Sequence, residues 1–276
     1  VEAFDAMGEF LLVLGAPGAG KTIVLLELGR ELLDRAEEDG QHPIPVILTL
    51  ASWSTQHASI ATWMVEELSV RYGVASKLGQ AWIRSGQLLP LLDGLDEVDP
   101  AQRASCVQAL NMARRDPGLP GLVVCCRSAD YATIGIQLEL EGAVEIQPLT
   151  PEQIHAHLRR LGKQVKDVEA ALHADAELER LARTPLMLHL LLHIYQGSAV
   201  EEHHDPGTRR TWVLTTYIQH MLQRRRSVSR HTEAHMLRWL AWLAYAMERY
   251  NQGLFHLERI QPEWLPSADQ HRQYLC

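Results

Sequence analysis

The stretch FLLVLGAPGAGKT, residues 10–22, joins an apolar run to a glycine-rich turn and leads into IVLLELGRELL, residues 23–33. A short apolar run bounded by glycine is typical of a buried strand, and the leucines at positions 25, 28 and 32 share one face of a helix. Similar apolar runs recur at residues 43–50, 88–92, 122–126 and 143–146. Strands that alternate with helices predict parallel βαβ units, so we expect an α/β fold in three layers around a parallel sheet.

Two of the helices between these strands are marked by their apolar residues. Ile60, Trp63, Met64 and Leu68 share one face of the first helix, and Val107, Leu110 and Met112 mark the second.

The pattern changes after residue 149, where no further strand is evident. Thr150 and Gln153 have the spacing of a capping box, and Pro151 suits the first helical turn. Helices are predicted at residues 151–161, 166–182, 185–195, 210–225 and 232–249. We therefore expect an α/β domain over 1–149, an all-helical domain over 150–208 and a helical extension over 209–276.

The helix predicted at residues 232–249 carries a broad apolar group: Trp239, Leu240, Trp242, Leu243 and Met247. Its spread around the helix favours a packed core. A docking surface for parts of a longer protein is the alternative.

Composition excludes some classes of function. The net charge of -8 and the pI near 6.0 argue against a broad basic surface, so nucleic acid is not the expected partner. No apolar run has the length of a membrane span. The four cysteines Cys106, Cys125, Cys126 and Cys276 show no metal-ligand spacing, which predicts reduced thiols and a cytoplasmic protein. The chain begins with Val1, so we expect a segment of a longer protein.

The glycine-rich turn has the G-x-x-x-x-G-K-[ST] pattern of a Walker A loop. Glycines let backbone N–H groups point at phosphate oxygens at a helix N-terminus. Lys21 adds a cation for the β- and γ-phosphates, and the Thr22 hydroxyl would bind Mg²⁺. The predicted phosphate cradle comprises Gly15, Ala16, Pro17, Gly18, Ala19, Gly20, Lys21, Thr22 and Ile23.

An acidic stretch, LLDGLDE at residues 91–97, follows another predicted strand. A carboxylate at the tip of a buried strand can bind Mg²⁺, and we assign this role to Asp93. Asp96 or Glu97 would orient or deprotonate the attacking water, and the sequence does not choose between them.

Four stretches together carry a family resemblance: the Walker A loop, LLDGLDE at 91–97, VVCCRS at 123–128 and RTPLMLHLL at 183–191. With these motifs the chain resembles a NACHT-domain NTPase of the STAND class. LTLASW at 48–53 and FHLERIQPEWL at 255–265 are also similar to bacterial NACHT proteins. The resemblance implies a P-loop NTPase domain, a helical domain that closes over ATP or ADP with Mg²⁺, and the start of a winged-helix region.

The resemblance also implies roles for two residues. Arg127 matches the sensor arginine that would reach the γ-phosphate, and Pro185 matches the proline that packs near the adenine. Family members are signalling switches that self-associate on activation, and bacterial ones take part in defence. They carry flanking effector and sensor domains, which are absent from this chain.

Two alternatives to such a switch remain open, namely a rapid AAA+-like ATPase that does mechanical or transport work and a scaffold that binds nucleotide without hydrolysing it. Residues 128–147 contain no arginine or lysine. AAA+ motors usually carry their arginine finger in this region, and such a finger raises the rate by roughly 10³ to 10⁵. Its absence favours the slow switch.

Overall fold

The fold was obtained as a computed structural model, which describes residues 1–116, 118–195, 209–225 and 231–249, leaving aside the side chains of residues 163, 164 and 225. The strands are β1 (Phe10–Gly15), β2 (Ile44–Thr49), β3 (Leu88–Asp93), β4 (Leu122–Arg127) and β5 (Gly142–Ile146). All five coincide with apolar runs of the sequence, which confirms the predicted strands.

The helices of the first half are α1 (Glu2–Ala6), α2 (Lys21–Glu38), α3 (Ile60–Tyr72), α4 (Ser76–Arg84), α5 (Arg103–Arg114) and α6 (Ser128–Tyr131). Those of the second half are α7 (Pro151–Leu161), α8 (Lys166–Ala174), α9 (Ala176–Ala182), α10 (Pro185–Tyr195), α11 (Arg209–Arg225) and α12 (Glu233–Arg249).

The strands form one five-stranded sheet in the order β2-β3-β4-β1-β5, and every neighbouring pair is parallel. The order places β4 between β1 and β3, so the carboxyl ends of these three strands lie side by side. In parallel α/β sheets ligands bind at this edge. The segments that follow β1, β3 and β4 are therefore the candidate ligand-binding region.

Side chains alternate across the sheet, as the period of a strand requires. Leu12, Leu92 and Val124 pack on one face with α3 and α5, whereas Leu91 and Val123 pack on the other face with α1 and α2. Apolar residues on both faces explain why the strands read as continuous apolar runs. The three-layer α/β prediction is confirmed.

The helical half has a hydrophobic core of its own. It is built from α7 to α10 and includes Val213 of α11, which is fully buried. Thr150 and Gln153 form the predicted capping box, in which each side chain binds the backbone N–H of the other residue. The helix that follows has the predicted bounds.

One helix differs from the sequence-based prediction. The helix predicted over 166–182 is interrupted at Asp175, whose carboxylate accepts the Glu177 and Leu178 N–H groups and caps α9. The prediction of one helix was wrong because a good N-cap competes with helix continuation. Met112 lies in α5, the helix that it was predicted to mark, and its side chain is 73% exposed.

Within the described residues, the apolar group of α12 is only partly buried, with intermediate exposure at Trp242, Leu243 and Met247. Trp239 and Leu240 are each about half exposed, at 51% and 50%, and Ala246 is the helix's fully enclosed residue. Residues 250–276, part of the region predicted to hold the helical extension and the start of a winged-helix region, lie outside the described residues.

Cys106, Cys125 and Cys126 are free thiols in the core, as predicted, while Cys276 lies outside the described residues. Burial raises the pKa of the Cys106 thiol to about 12, so this group stays protonated at physiological pH. Among the helices described, none has both the length and the apolar character that crossing a membrane requires.

Candidate functional site

The candidate site lies where β1, β3 and β4 end. Gly15, the last residue of β1, pairs in register with Arg127, the last residue of β4. Asp93 ends β3, the neighbour of β4 on its other side. Residues that are far apart in the sequence are thus brought to one edge of the sheet, as the motifs require.

The loop between β1 and α2 has the backbone shape of a phosphate cradle. Gly18 and Gly20 have φ angles of 75° and 96°, a left-handed region that a side chain disfavours. Gly20 is the N-cap of α2, and the N–H groups of the first turn, at Lys21, Thr22 and Ile23, have no acceptor within the helix. Such a helix N-terminus attracts anions.

Lys21 folds back over the cradle. Its Nζ donates to the carbonyl oxygens of Gly15 and Ala16 at 3.0 and 3.2 Å. The ammonium group is therefore held at the mouth of the loop, next to the orphan N–H groups. The local charge is positive where phosphate oxygens would bind.

Thr22 and Asp93 are joined across the site. The Thr22 hydroxyl donates to Asp93 Oδ2 at 2.7 Å, although the two residues are 71 positions apart. A hydroxyl and a carboxylate are the hard oxygen ligands that Mg²⁺ prefers, with waters and phosphate oxygens as its other ligands. The pair therefore fits the metal role assigned to both residues.

The acidic turn after β3 separates its two remaining carboxylates. Asp96 accepts the Arg127 backbone N–H at 3.0 Å with Oδ1, and its Oδ2 lies 2.8 Å from Arg127 Nε. The side chain of Asp96 is 7% exposed, so this pair is largely shielded from water on the acidic side. Both oxygens of the Asp96 carboxylate are therefore engaged by Arg127.

Glu97 has a different environment. Its carboxyl group lies over Gly94, where a Cβ atom would come within 3.0 Å of it. Burial raises the pKa of Glu97, with further increases from Asp96 and Asp93. Among the described residues no hydrogen bond or ion pair engages this carboxyl group, so it is available to a water molecule.

Arg127 is held by its Nε atom, and its side chain is 47% exposed. Within the described part of the chain its two terminal amino groups have no hydrogen-bond partner. Arg127 is the last residue of β4 and pairs with Gly15 at the end of β1, where the cradle begins. Arg127 is therefore placed where it could meet a phosphate bound in the loop.

The helical half touches the cradle at the start of α10. The Leu186 N–H donates to the Gly18 carbonyl at 3.3 Å. A Cβ atom on Gly18 would come within 2.8 Å of the Leu186 side chain and 3.3 Å of Thr184. Pro185, the first residue of α10, lies between these two contact residues.

A second link joins the same two parts of the chain. The Leu149 N–H donates to the Arg183 carbonyl at 2.8 Å, and Arg183 Nε donates to the Leu149 carbonyl at 3.2 Å. These bonds fix the linker after β5 to the turn before α10. Residues on either side of Pro185 are thus bonded to the first half of the chain, Arg183 to the linker after β5 and Leu186 to the cradle.

The structure places the loop at residues 15–23, Asp93, the acidic turn and Arg127 at one edge of the sheet, and the start of α10 lies against Gly18. The sequence motifs did not single out Leu186 and Arg103. Leu186 is one leucine in an apolar helix, and its contact with Gly18 depends on tertiary packing. Arg103 follows Glu97 by six residues at the start of α5, a spacing that could have drawn attention to it.

A family model for the NACHT domain matches residues 9–164, which is more than half of the chain. The matched region includes the cradle, the acidic turn and Arg127. No curated protein sequence matches the chain.

Two solved structures are similar to the chain at low identity. The Orc1 protein of Aeropyrum pernix, solved in complex with DNA, is 16% identical, with a TM-score of 0.45 over 76% of this chain and 59% of that one. PCH-2 of C. elegans is 14% identical, with a TM-score of 0.35 over 78% of this chain and 62% of that one. The chain therefore spans less than two thirds of each protein.

The family match covers the same loop, acidic turn and strand end that the geometry brings together. Its bounds begin one residue before β1 and extend into the helical half. On this match the chain belongs to the NACHT family of nucleotide-binding P-loop NTPases.

Proposed function

We propose that this chain is a slowly hydrolysing, ATP-binding switch, in which exchange of ADP for ATP opens the helical half and exposes a surface for self-association. The observation that carries the proposal is the contact between Leu186 and Gly18. Because the helical half rests on the phosphate cradle itself, a change in what the cradle binds bears directly on the position of α10.

Residues 15–23 would bind the nucleotide phosphates through backbone N–H groups, with Lys21 supplying the positive charge. Thr22 and Asp93 would hold Mg²⁺, which supplies charge neutralisation for the phosphate oxygens. Pro185 would lie near the adenine. These assignments are supported by the loop geometry and by the hydrogen bond between Thr22 and Asp93.

Glu97 is our choice for the residue that activates water. Asp96 is engaged by Arg127, whereas the Glu97 carboxyl group is free of such a partner in the described residues. A raised pKa also makes a carboxylate a stronger base once it has lost its proton. Asp96 would then act on the reaction through Arg127.

Arg127 is our choice for the residue that senses the γ-phosphate. A near-complete shift between two states requires the ligand to favour one of them by about 5.5 kcal/mol. Charge-assisted hydrogen bonds from an arginine fork to phosphate are among the strongest available contributions to such a difference. The half-exposed Arg127 could make them without first leaving Asp96.

We also propose a division of the chain at residues 1–149, 150–208 and 209–276. The separate core of the helical half supports a boundary near residue 149. The wider setting of the proposal is a cytoplasmic signalling protein, with a role in bacterial defence and with effector and sensor domains outside this chain.

The experiment measures assembly state and hydrolysis together. Light scattering after size exclusion should show larger species with a non-hydrolysable ATP analogue than with ADP, and Lys21→Ala should abolish the difference. Sustained turnover at roughly 1 to 10³ per second without assembly would instead favour a motor ATPase. Nucleotide-dependent thermal stabilisation without phosphate release would favour a binding scaffold.

A further inference from the structure

We propose that Arg103 is a positioning residue for hydrolysis, which fixes the acidic turn on both sides of Glu97 and ties it to the segment after Arg127. The inference rests on the proposed function, in which Glu97 activates water. It assigns a role to a residue outside all the motifs that define the site.

The Arg103 side chain donates two hydrogen bonds to backbone carbonyls of the acidic turn. Its Nη2 donates to the Asp96 carbonyl, and its Nε donates to the Val98 carbonyl at 2.9 Å. These two carbonyls belong to the residues immediately before and after Glu97. A single guanidinium group therefore holds the peptide unit that precedes Glu97 and the peptide unit that follows Val98.

The third nitrogen of the Arg103 guanidinium group contacts the segment that follows β4. Its Nη1 donates to Asp130 Oδ1 at 3.1 Å, and Asp130 lies in α6, the short helix that follows Arg127. Asp96 also binds Arg127 directly. Arg103 and Asp96 therefore each connect the acidic turn to the end of β4. Arg103 does so through Asp130, and Asp96 through the candidate sensor Arg127.

Burial makes this arrangement specific for arginine. The Arg103 side chain is 13% exposed, and each of its three nitrogen atoms donates one of the hydrogen bonds described above. A guanidinium has donors in one rigid plane, which suits two carbonyls and a carboxylate at once. The ammonium of a lysine is a compact point charge and does not reproduce that fork.

The acidic turn also has anchors other than Arg103. Leu95 and Val98 are fully buried, and the Glu97 N–H donates to the Gly94 carbonyl at 2.9 Å. These contacts hold the path of the chain. Arg103 adds a side-chain hold on the Asp96 carbonyl and on the Val98 carbonyl, and a displacement of about 1 Å at a reacting group can cost about 10²-fold in rate.

The test compares Arg103→Lys and Arg103→Gln with wild type in the full 276-residue chain. Single-turnover hydrolysis, the dissociation constant for Mg-ADP and the thermal midpoint are measured on each protein. Arg115→Gln is the matched control, because Arg115 follows the same helix and its ion pair with Glu139 is exposed.

We expect both Arg103 variants to hydrolyse ATP about 10- to 100-fold more slowly while binding Mg-ADP as wild type does. The pH profile gives a second readout. A loosened turn admits water to Glu97, which lowers its raised pKa, so the acidic limb of the rate profile should move to lower pH in Arg103→Lys. A purely structural role would not move this limb.

Three results would overturn the inference. One is an unchanged hydrolysis rate in both variants. Another is a parallel loss of rate, Mg-ADP binding and stability, which indicates a structural anchor. If neither variant folds, Asp130→Ala removes one arm from a position that is 33% exposed, and a wild-type rate in that variant counts against the role. A wild-type chain that binds ATP without hydrolysing it would refute the proposed function first, and the role of Arg103 with it.

Discussion

Asp96 uses both of its carboxylate oxygens to bind Arg127. One oxygen accepts the backbone N–H at 3.0 Å, and the other lies 2.8 Å from the side-chain Nε. This bond separates two acidic residues that are neighbours in the sequence. In the proposed reaction, Asp96 would orient the arginine and Glu97 would accept a proton from water.

Replacing Glu97 with glutamine should therefore separate hydrolysis from binding. Glutamine keeps the shape of the side chain but cannot accept the proton, so we expect hydrolysis to fall by roughly 10² to 10⁴. Single-turnover phosphate release measures the rate, and calorimetry with Mg-ADP should give wild-type affinity.

Asp96→Asn is the comparison for this variant. It weakens the hold on Arg127, so we expect altered discrimination between ATP and ADP with hydrolysis less affected than in Glu97→Gln. Loss of hydrolysis in Asp96→Asn together with a normal rate in Glu97→Gln would reverse the two assignments.

Glu97→Gln should also change how the free energy of unfolding depends on pH. Burial, Asp96 and Asp93 raise the pKa of Glu97, so the folded protein binds the proton more tightly than the unfolded chain. The resulting stability is fully present below the unfolded-state pKa and is lost as pH rises through the folded-state pKa. Glu97→Gln should be more stable than wild type at neutral pH, with a gap that closes in acid. A gap that is constant with pH in thermal unfolding would contradict the pKa assignment.

Asp93→Asn should remove the Mg²⁺ dependence of nucleotide binding. The substitution keeps the size of the side chain and a hydrogen-bond acceptor for Thr22, but it removes the charge that a hard cation requires. Titrations of ADP with and without Mg²⁺ should then give the same affinity. Asp34→Asn is the control, since Asp34 lies in an exposed ion pair on α2. Equal Mg²⁺ dependence in Asp93→Asn and wild type would exclude Asp93 as a ligand.

Leu186→Ala should accelerate release of ADP. The substitution removes the side chain that packs on Gly18 and leaves the backbone bond in place. Because the contact joins the cradle to α10, its loss should favour the open helical half. Stopped-flow displacement of a fluorescent ADP analogue measures the rate.

Leu78→Ala is a matched control for this experiment. Leu78 lies on α4 and is 46% exposed, the same fraction as Leu186. Release rates that are equal in wild type and both variants would show that the contact does not couple the cradle to the helical half.

Local sequence signals predicted the regular elements well. Apolar runs bounded by glycine located all five strands, and Thr150 and Gln153 located the start of α7. The break at Asp175 was missed because a helix-compatible sequence continues on both sides of it. Local patterns do not measure the competition between a cap and the next helical turn.

The site was predictable in part. The loop at residues 15–22 and Asp93 follow from motifs whose chemistry requires them to meet. The distinction between Asp96 and Glu97 depends on Arg127, which comes from another strand, and the contact between Leu186 and Gly18 depends on how the helical half packs. These contacts join residues that are far apart in the sequence, so they produce no periodic pattern in it.

The central claim is that the cradle and Asp93 bind one nucleotide phosphate tail, with Lys21 as its main positive charge. Calorimetry of Mg-ADP binding, on protein stripped of carried-over nucleotide, tests this most directly. We predict one saturable site in wild type and binding about 10- to 100-fold weaker in Lys21→Ala, from the loss of a charge-assisted hydrogen bond. Lys77→Ala, on the exposed surface of α4, should bind as wild type does. Folded wild-type protein that gives no heat with Mg-ADP or Mg-ATP would contradict the account.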